Sequence, residues 1–178
     1  MRRLLLLRHA KAEQANKDTP ADAERALAER GRRDAPRVGS VMREKGYKPD
    51  LILCSPSRRT RETLELAISE LRSSAGAQFI DGLYTASAQR ILALVRQLPD
   101  AAKQPLLVGH NPGLEDCALL LASRGSASPL LPTADDLEDK FPTGALAVLE
   151  FTILNWRSVT PHSGRLVDFV RPKDLPSA

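Results

Sequence analysis

Apolar positions in this chain come in short blocks separated by polar stretches. Four blocks have strand character: Leu4–Leu7, Leu51–Cys54, Leu106–Val108 and Leu146–Ile153. The first three are continuous, as expected of parallel strands covered on both faces. The fourth lies in a strand predicted over 145–153, which alternates less clearly than a half-exposed strand should. A further strand is predicted over about 156–170.

Helical signals fill the intervals. Glu29-Arg30-Gly31 opens a predicted helix that runs to about Lys45, with Gly46 as its C-terminal cap. Pro36 falls inside it, so the helix either begins nearer that residue or kinks there. Ser55-Pro56 reads as an N-cap followed by proline at the first helical position, leading a helix to about Ser73. Ala88–Leu98 places Ile91, Leu92, Leu94, Val95 and Leu98 at helical spacing. Asn111-Pro112 repeats the cap-plus-proline start ahead of a helix to about Leu121. This order predicts an α/β layered domain with a largely parallel sheet. Residues 123–143 break the pattern. They are rich in Ser, Pro and Asp, with an acidic piece at Asp135–Asp139, and read as a long surface excursion. The polar tail from Arg171 to residue 178 is predicted to be loose.

At 178 residues, with 42% hydrophobic and 27% charged positions, the chain is most simply one domain with a core of its own. Aromatic content of only 4% argues against stacking platforms for single-stranded nucleic acid. The net charge of +4 suits an anionic substrate but is far from the basic stripe of a nucleic-acid binder. Cys54 and Cys117 are too few for a disulfide framework or a convincing zinc site, and Cys54 reads as a buried, inert thiol. Met1-Arg2-Arg3 and four leucines start like a signal peptide, but Arg8 ends the apolar run too early and without a cleavage site. No segment is long enough to span a membrane. A reducing cytoplasm is the expected compartment.

Chemistry gathers at three strand ends. Leu4–Leu7 hands the chain to Arg8-His9-Ala10. Arginine offers a planar fork of donors for phosphate, and histidine can act as a nucleophile near neutral pH. After the second strand, Ser55-Pro56-Ser57-Arg58-Arg59 crowds cations into a first helical turn. The helix dipole disfavours them there unless an anion lies between them. After the third, Gly109-His110-Asn111 precedes a helix start whose free amides can hold phosphate oxygens. In a parallel sheet these ends share one edge, where α/β sheets place ligands. The joint expectation is a phosphate pocket lined by Arg8, His9, Arg59 and His110.

The ordered set Arg8-His9-Ala10, Ser55 to Arg59 and Gly109-His110 resembles the histidine phosphatase superfamily, whose fold is phosphoglycerate-mutase-like. Leu27 to Gly31 joins the match. Arg8 to Glu13, Gly31 to Pro36, Gly109 to Glu115 and Phe141-Pro142-Thr143 look like the SixA-like phosphohistidine phosphatases. The resemblance implies a three-layer α/β/α sandwich with a mostly parallel central sheet. It implies His9 as a nucleophile that forms a covalent phosphohistidine, with Arg8, Arg59 and His110 binding the phosphoryl oxygens. Arg58 competes for the Arg59 role, but the motif spacing favours Arg59. Lys11 and Asn111 are further phosphate-binding candidates. Neither a metal nor another cofactor is expected, since the cations already neutralise the phosphate.

Many relatives carry a middle-region carboxylic acid that protonates an alkoxide leaving group. Here the comparable stretch, Asp81 to Ser87, has only Asp81, which is not expected to reach the site. Glu13, Glu115 and Asp116 are alternative proton donors. A protonated imidazole leaves without such help, whereas an alcohol would lose roughly a hundredfold or more. The expected substrate is therefore phosphohistidine on a protein such as a phosphotransfer domain, and phosphate or sulfate should fit the pocket. A phosphatase or mutase for small phosphate esters and a non-catalytic phosphate- or protein-binding module are the alternatives.

Overall fold

The computed structural model describes residues 1–15, 21–71, 73, 75–124, 131–139 and 141–175. Six strands form one sheet: β1 (Arg2–Arg8), β2 (Leu51–Cys54), β3 (Ala77–Phe79), β4 (Pro105–Gly109), β5 (Leu146–Phe151) and β6 (Arg165–Val170), in spatial order β3-β2-β4-β1-β5-β6. Strands β1 to β4 run parallel, β5 runs against β1, and β6 runs against β5. The sheet is therefore mostly parallel, as its continuous apolar strands require.

Helices cover both faces, giving the α/β/α sandwich. On one face Leu5 and Leu7 pack in a core with α1 (Glu29–Glu44) and α2 (Arg58–Leu71), through Val38, Met42, Leu64 and Ala67. On the other, Leu4 and Leu6 meet α3 (Ala88–Arg96) and α4 (Gly113–Leu121), through Ile91, Val95, Leu114 and Ala118. The leucine run thus alternates between two cores, as the two-residue period of a strand dictates. At the start of β1, Arg2 is almost fully buried and donates from its guanidinium to the carbonyls of Asp100, Ala102 and Leu154.

Several boundaries differ from expectation for local reasons. Helix α1 begins at Glu29 and carries Pro36 within it, and Gly46 follows its end at φ 72°, a left-handed conformation natural for glycine. Helix α2 starts at Arg58 rather than beside Pro56, after a turn in which Ser57 Oγ and Thr60 Oγ1 lie 2.8 Å apart. Asn111 does not cap α4; its side chain is drawn to Glu115 and Phe141 instead. Strand β3 was not among the expected strands, because it is a three-residue edge strand with all its residues exposed. The last strand begins only at Arg165; the earlier part folds into a turn at Trp156–Ser158, where buried Trp156 Nε1 donates to Ala102 O.

Within 123–143, residues 125–130 and 140 lie outside the described residues. A short helix α5 (Ala134–Asp139) is present, and Leu137 and Phe141 are buried in the second core. In the tail, Pro172–Asp174 forms a single turn, and residues 176–178 lie outside the described residues. Both cysteines are buried free thiols, and burial pushes each up to about 12. Among the described residues no helix is long and apolar enough to cross a membrane.

Candidate active site

Strands β2, β4 and β1 are immediate neighbours, so their carboxyl ends lie side by side. Arg8 pairs in register with Gly109, and the His9 amide donates to the Gly109 carbonyl at 3.0 Å. The Ser55 amide donates to Val108 O at 2.9 Å, carrying β2 one step further along the same edge. These bonds bring His9, His110 and the start of α2 together. The His9 and His110 ring centroids are 5.2 Å apart.

His9 has a defined tautomer. Its Nδ1 lies 2.7 Å from the Ala10 carbonyl oxygen, which can only accept, so Nδ1 carries the proton and Nε2 keeps its lone pair. Burial lowers the His9 pKa to about 3; the Ala10 bond opposes the shift, while His110, Arg59 and Arg8 add to it. The ring is neutral at physiological pH. His110 is lowered to about 4, first by burial and then by Arg59, with Asp22 pulling the other way and Arg8 adding a smaller push down. Its Nε2 is 2.8 Å from Ser55 Oγ, while its Nδ1 is buried without a partner.

Arg8 is tied to the segment that leads into β5. Its backbone amide donates to Ala145 O, and Gly144 N donates back to His9 O, which ties the 141–145 segment to the end of β1. Arg8 Nη1 then donates to Phe141 O at 2.6 Å, and its Nε is buried without a partner. Arg59 is 5% exposed, held in the first turn of α2. Thr63 Oγ1 donates to Arg59 O and accepts from the Ala10 amide, fixing α2 against the His9 loop. Arg58 turns away into an exposed pair with Glu62 at 2.8 Å.

Asn111 stands behind this group, donating from Nδ2 to Glu115 Oε2 at 2.7 Å and to Phe141 O at 3.1 Å. Lys11 is exposed and, with Arg8, Arg30, Thr143 and Lys173, lines a cavity of about 340 Å³. The structure therefore gathers Arg8, His9, Arg59 and His110, sets Asn111 as a neighbour of Arg8, and places Lys11 outside the histidine pair. Among the proton-donor candidates, Asp81 is exposed on its turn, Asp116 on α4 and Glu13 on its loop, and Glu115 is engaged by Asn111.

One carboxylate at the site has no precursor in the motif reading. Asp22, in a short turn between β1 and α1, accepts at Oδ2 from Arg59 Nη2 and from Tyr84 OH, each at 2.8 Å. Its carbonyl accepts from Arg59 Nη1 at 2.6 Å. Hydrogen bonds from Arg25 and then Tyr84 hold the Asp22 carboxyl well below the usual carboxylate range; burial opposes them, and Arg59 adds a smaller push down. Tyr84 also sets its ring edge-on to His110, with centroids 5.4 Å apart. The loop is anchored by Leu27 N donating to Glu62 Oε2 and by Arg25 donating to Glu13 O. No sequence signal marks Asp22, which lies 37 positions from Arg59 and meets it only in the fold. Among the described residues, no three or more His, Cys, Asp or Glu side chains are grouped to hold a metal ion.

Parallel strand ends and the first turn of α2 bring two histidines together with half-buried Arg8 and buried Arg59 on an α/β/α fold. Residues 4–83 match the model of the histidine phosphatase superfamily, branch 1. An uncharacterized protein of Mycobacterium tuberculosis is 33% identical over 94% of this chain and 100% of its own length. Two solved structures, provisionally assigned as phosphohistidine phosphatase SixA, superpose closely. The one from Nakamurella multipartitia has a TM-score of 0.81 at 31% identity, covering 96% of each chain. The one from Agrobacterium tumefaciens has a TM-score of 0.78 at 30% identity, covering 96% of this chain and 98% of that one. The chain belongs to the histidine phosphatase superfamily and, within it, to the SixA-like group, and it is an enzyme of the phosphatase class.

Proposed function

We propose that this enzyme hydrolyses phosphohistidine, carried on a protein, through a phosphorylated His9. The observation that carries the reading is the neutral His9 ring with its proton fixed on Nδ1 by Ala10 O. Nε2 is then a ready nucleophile that needs no separate base. In the first step the Nε2 lone pair attacks phosphorus, the bond from phosphorus to the substrate nitrogen breaks, and the substrate imidazole departs. In the second, water attacks the phosphorus on His9, the new N–P bond breaks, and inorganic phosphate leaves.

Arg8, Arg59 and His110 supply the electrostatic stabilisation. Arg8 Nε and His110 Nδ1 are buried polar atoms without protein partners, and phosphoryl oxygens are the partners that would satisfy them. A dianion arriving beside His110 raises that ring's pKa and favours its cationic, donating form. Inorganic phosphate and sulfate, which share this tetrahedral shape, would compete for the same donors.

A protein-borne substrate is supported by the cavity beside Arg8. Four cations line it, Arg8, Lys11, Arg30 and Lys173, and no carboxylate is among the described residues lining it. Such a rim complements an acidic surface around the phosphorylated side chain. The relatives assigned as SixA support the same substrate class. The cytoplasm is the proposed compartment, supported by two buried free thiols.

The test is a steady-state comparison of phosphohistidine peptides with sugar phosphates, joined to trapping of the enzyme intermediate. The expected result is a higher kcat/KM for phosphohistidine and a label on His9 that survives alkali and is lost in acid. Faster turnover of sugar phosphates would replace this reading with that of a small-ester phosphatase.

A further inference from the structure

The proposed reaction leaves Asp22 unused, although it touches the phosphate-binding machinery directly. Its carboxylate is bonded to Arg59 and Tyr84, and its side chain is 50% exposed. For an enzyme that binds phosphate dianions this position is costly, because a fixed negative charge beside the pocket repels the substrate and neutralises Arg59. Holding Arg59 in place does not require the charge, since the main-chain carbonyl of Asp22 already accepts from Arg59 Nη1. A carboxylate there is explained if the substrate brings an N–H that needs an acceptor.

We infer that Asp22 is a specificity-determining residue whose carboxylate accepts the N–H of the departing imidazole of phosphohistidine. The inference rests on the phosphohistidine reading above. In N-phosphohistidine the ring nitrogen not bonded to phosphorus can carry a proton. When it does, attack by His9 Nε2 breaks the P–N bond, the bonding pair returns to the departing nitrogen, and a neutral imidazole leaves. No proton has to reach the breaking bond. The proton stays on the far nitrogen throughout, where an ionised carboxylate stabilises it.

The arrangement mirrors the enzyme's own imidazole. His9 keeps its far N–H on Ala10 O, 2.7 Å away, while its other nitrogen takes the phosphoryl group. With Asp22 serving the substrate ring, the phosphoryl group passes between two imidazoles, each protonated on the side remote from phosphorus. Transfer between such matched rings is close to balanced in energy. The same device accounts for a site whose motif-region carboxylate, Asp81, is exposed on its turn.

Arg25 from its own loop, Tyr84 from the turn before α3 and Arg59 from α2 favour the charged form of Asp22 against its burial, and His110 faces it from the end of β4. An ionised acceptor is thus retained through the pH range where phosphohistidine protonates.

Asp22→Asn tests the assignment by comparing a phosphohistidine peptide with p-nitrophenyl phosphate, whose leaving group departs without a proton and carries no N–H. The expected result is a loss of roughly ten- to a hundredfold in kcat/KM on phosphohistidine, the size of a lost charge-assisted hydrogen bond. Turnover of p-nitrophenyl phosphate by the same sample should fall by far less or rise, so the ratio of the two kcat/KM values reads the role, and circular dichroism of the same sample checks the fold. The alkaline fall in kcat on phosphohistidine should move to lower pH in Asp22→Asn, because the bound substrate ring is then easier to deprotonate. Equal losses on both substrates would make Asp22 a positioning residue for Arg59, and equal gains would make it a competitor of phosphate; either overturns the assignment alone. Wild-type enzyme inert on phosphohistidine would remove the substrate reading as well.

Discussion

The carbonyl oxygen of Ala10 sits 2.7 Å from His9 Nδ1, and that single contact decides which nitrogen of His9 keeps its lone pair. A carbonyl acceptor keeps the proton on one side of the ring and the lone pair on the other. Because the acceptor is the next residue in the chain, the tautomer is set by the backbone path just past β1. No remote side chain is needed for it.

Replacing His9 by alanine should lower phosphatase turnover on the order of 10⁴-fold or more, because the nucleophile is gone. It should also abolish the trapped phosphoenzyme. His110→Ala should reduce turnover by about 10²- to 10³-fold and weaken phosphate binding, as loss of one oxyanion donor does. Rapid-quench labelling alongside phosphate titration separates the two. Label persisting undiminished in His9→Ala would exclude His9 as the phosphorylated residue.

The two arginines at the start of α2 should behave differently although they are adjacent in sequence. Arg58 is half exposed and paired with Glu62, so Arg58→Ala should change stability by less than about 1 kcal/mol and leave kcat/KM near wild type. Arg59→Ala should cost about 10²- to 10³-fold in kcat/KM. Arg59→Lys should recover only part of this, since an ammonium cannot bridge two acceptors as a planar fork does. Steady-state kinetics on one phosphohistidine peptide would show the contrast, and equal effects at both positions would contradict it.

Stability should fall on acidification. In the unfolded chain both histidines protonate near pH 6.5, while in the fold burial keeps His9 neutral to about 3 and His110 to about 4. The unfolded state therefore gains protons that the folded state refuses, and the folded state loses ground as pH drops from about 6.5 toward 3. Urea midpoints measured across this window should decline less steeply for His9→Ala than for the wild type. Parallel curves would show that His9 is not held neutral.

Gly113 marks a close approach that supports the site from behind. A Cβ at this position would lie 1.8 Å from the Ala86 carbonyl oxygen, in the segment that carries Tyr84. Gly113→Ala should therefore destabilise the fold by about 1–3 kcal/mol. It should also impair turnover, because the segment must shift away from α4. Thermal unfolding and kinetics on the same sample check both effects.

The strands that hold the site were legible because β1, β2 and β4 are apolar on both faces, and such runs have few other places to fold. Arg8, His9, Arg59 and His110 followed from their common position at those strand ends. Strand β3 was not legible, since Ala77–Phe79 is exposed and joins the sheet only by pairing with β2. Phe141 could not be read as a partner of Arg8, because its contribution is a backbone carbonyl, which every residue possesses. Asp22 was missed for another reason. It lies in a polar stretch without periodicity, and it reaches Arg59 only because distant groups, including Glu62 on α2, anchor its loop.

The leucine run has a consequence for where His9 stands. Leu4 to Leu7 are one residue type repeated, buried on both faces, so hydrophobicity alone scarcely distinguishes one alignment of β1 from another shifted along its neighbours. The ends of the strand break that degeneracy. Buried Arg2 finds its three carbonyl acceptors in one alignment, and sliding the strand would strand its charge in the core. Arg2 thus works as a stop on a ruler whose far mark is His9. An arginine at the opposite end of the strand sets how far the His9 imidazole protrudes beyond the sheet.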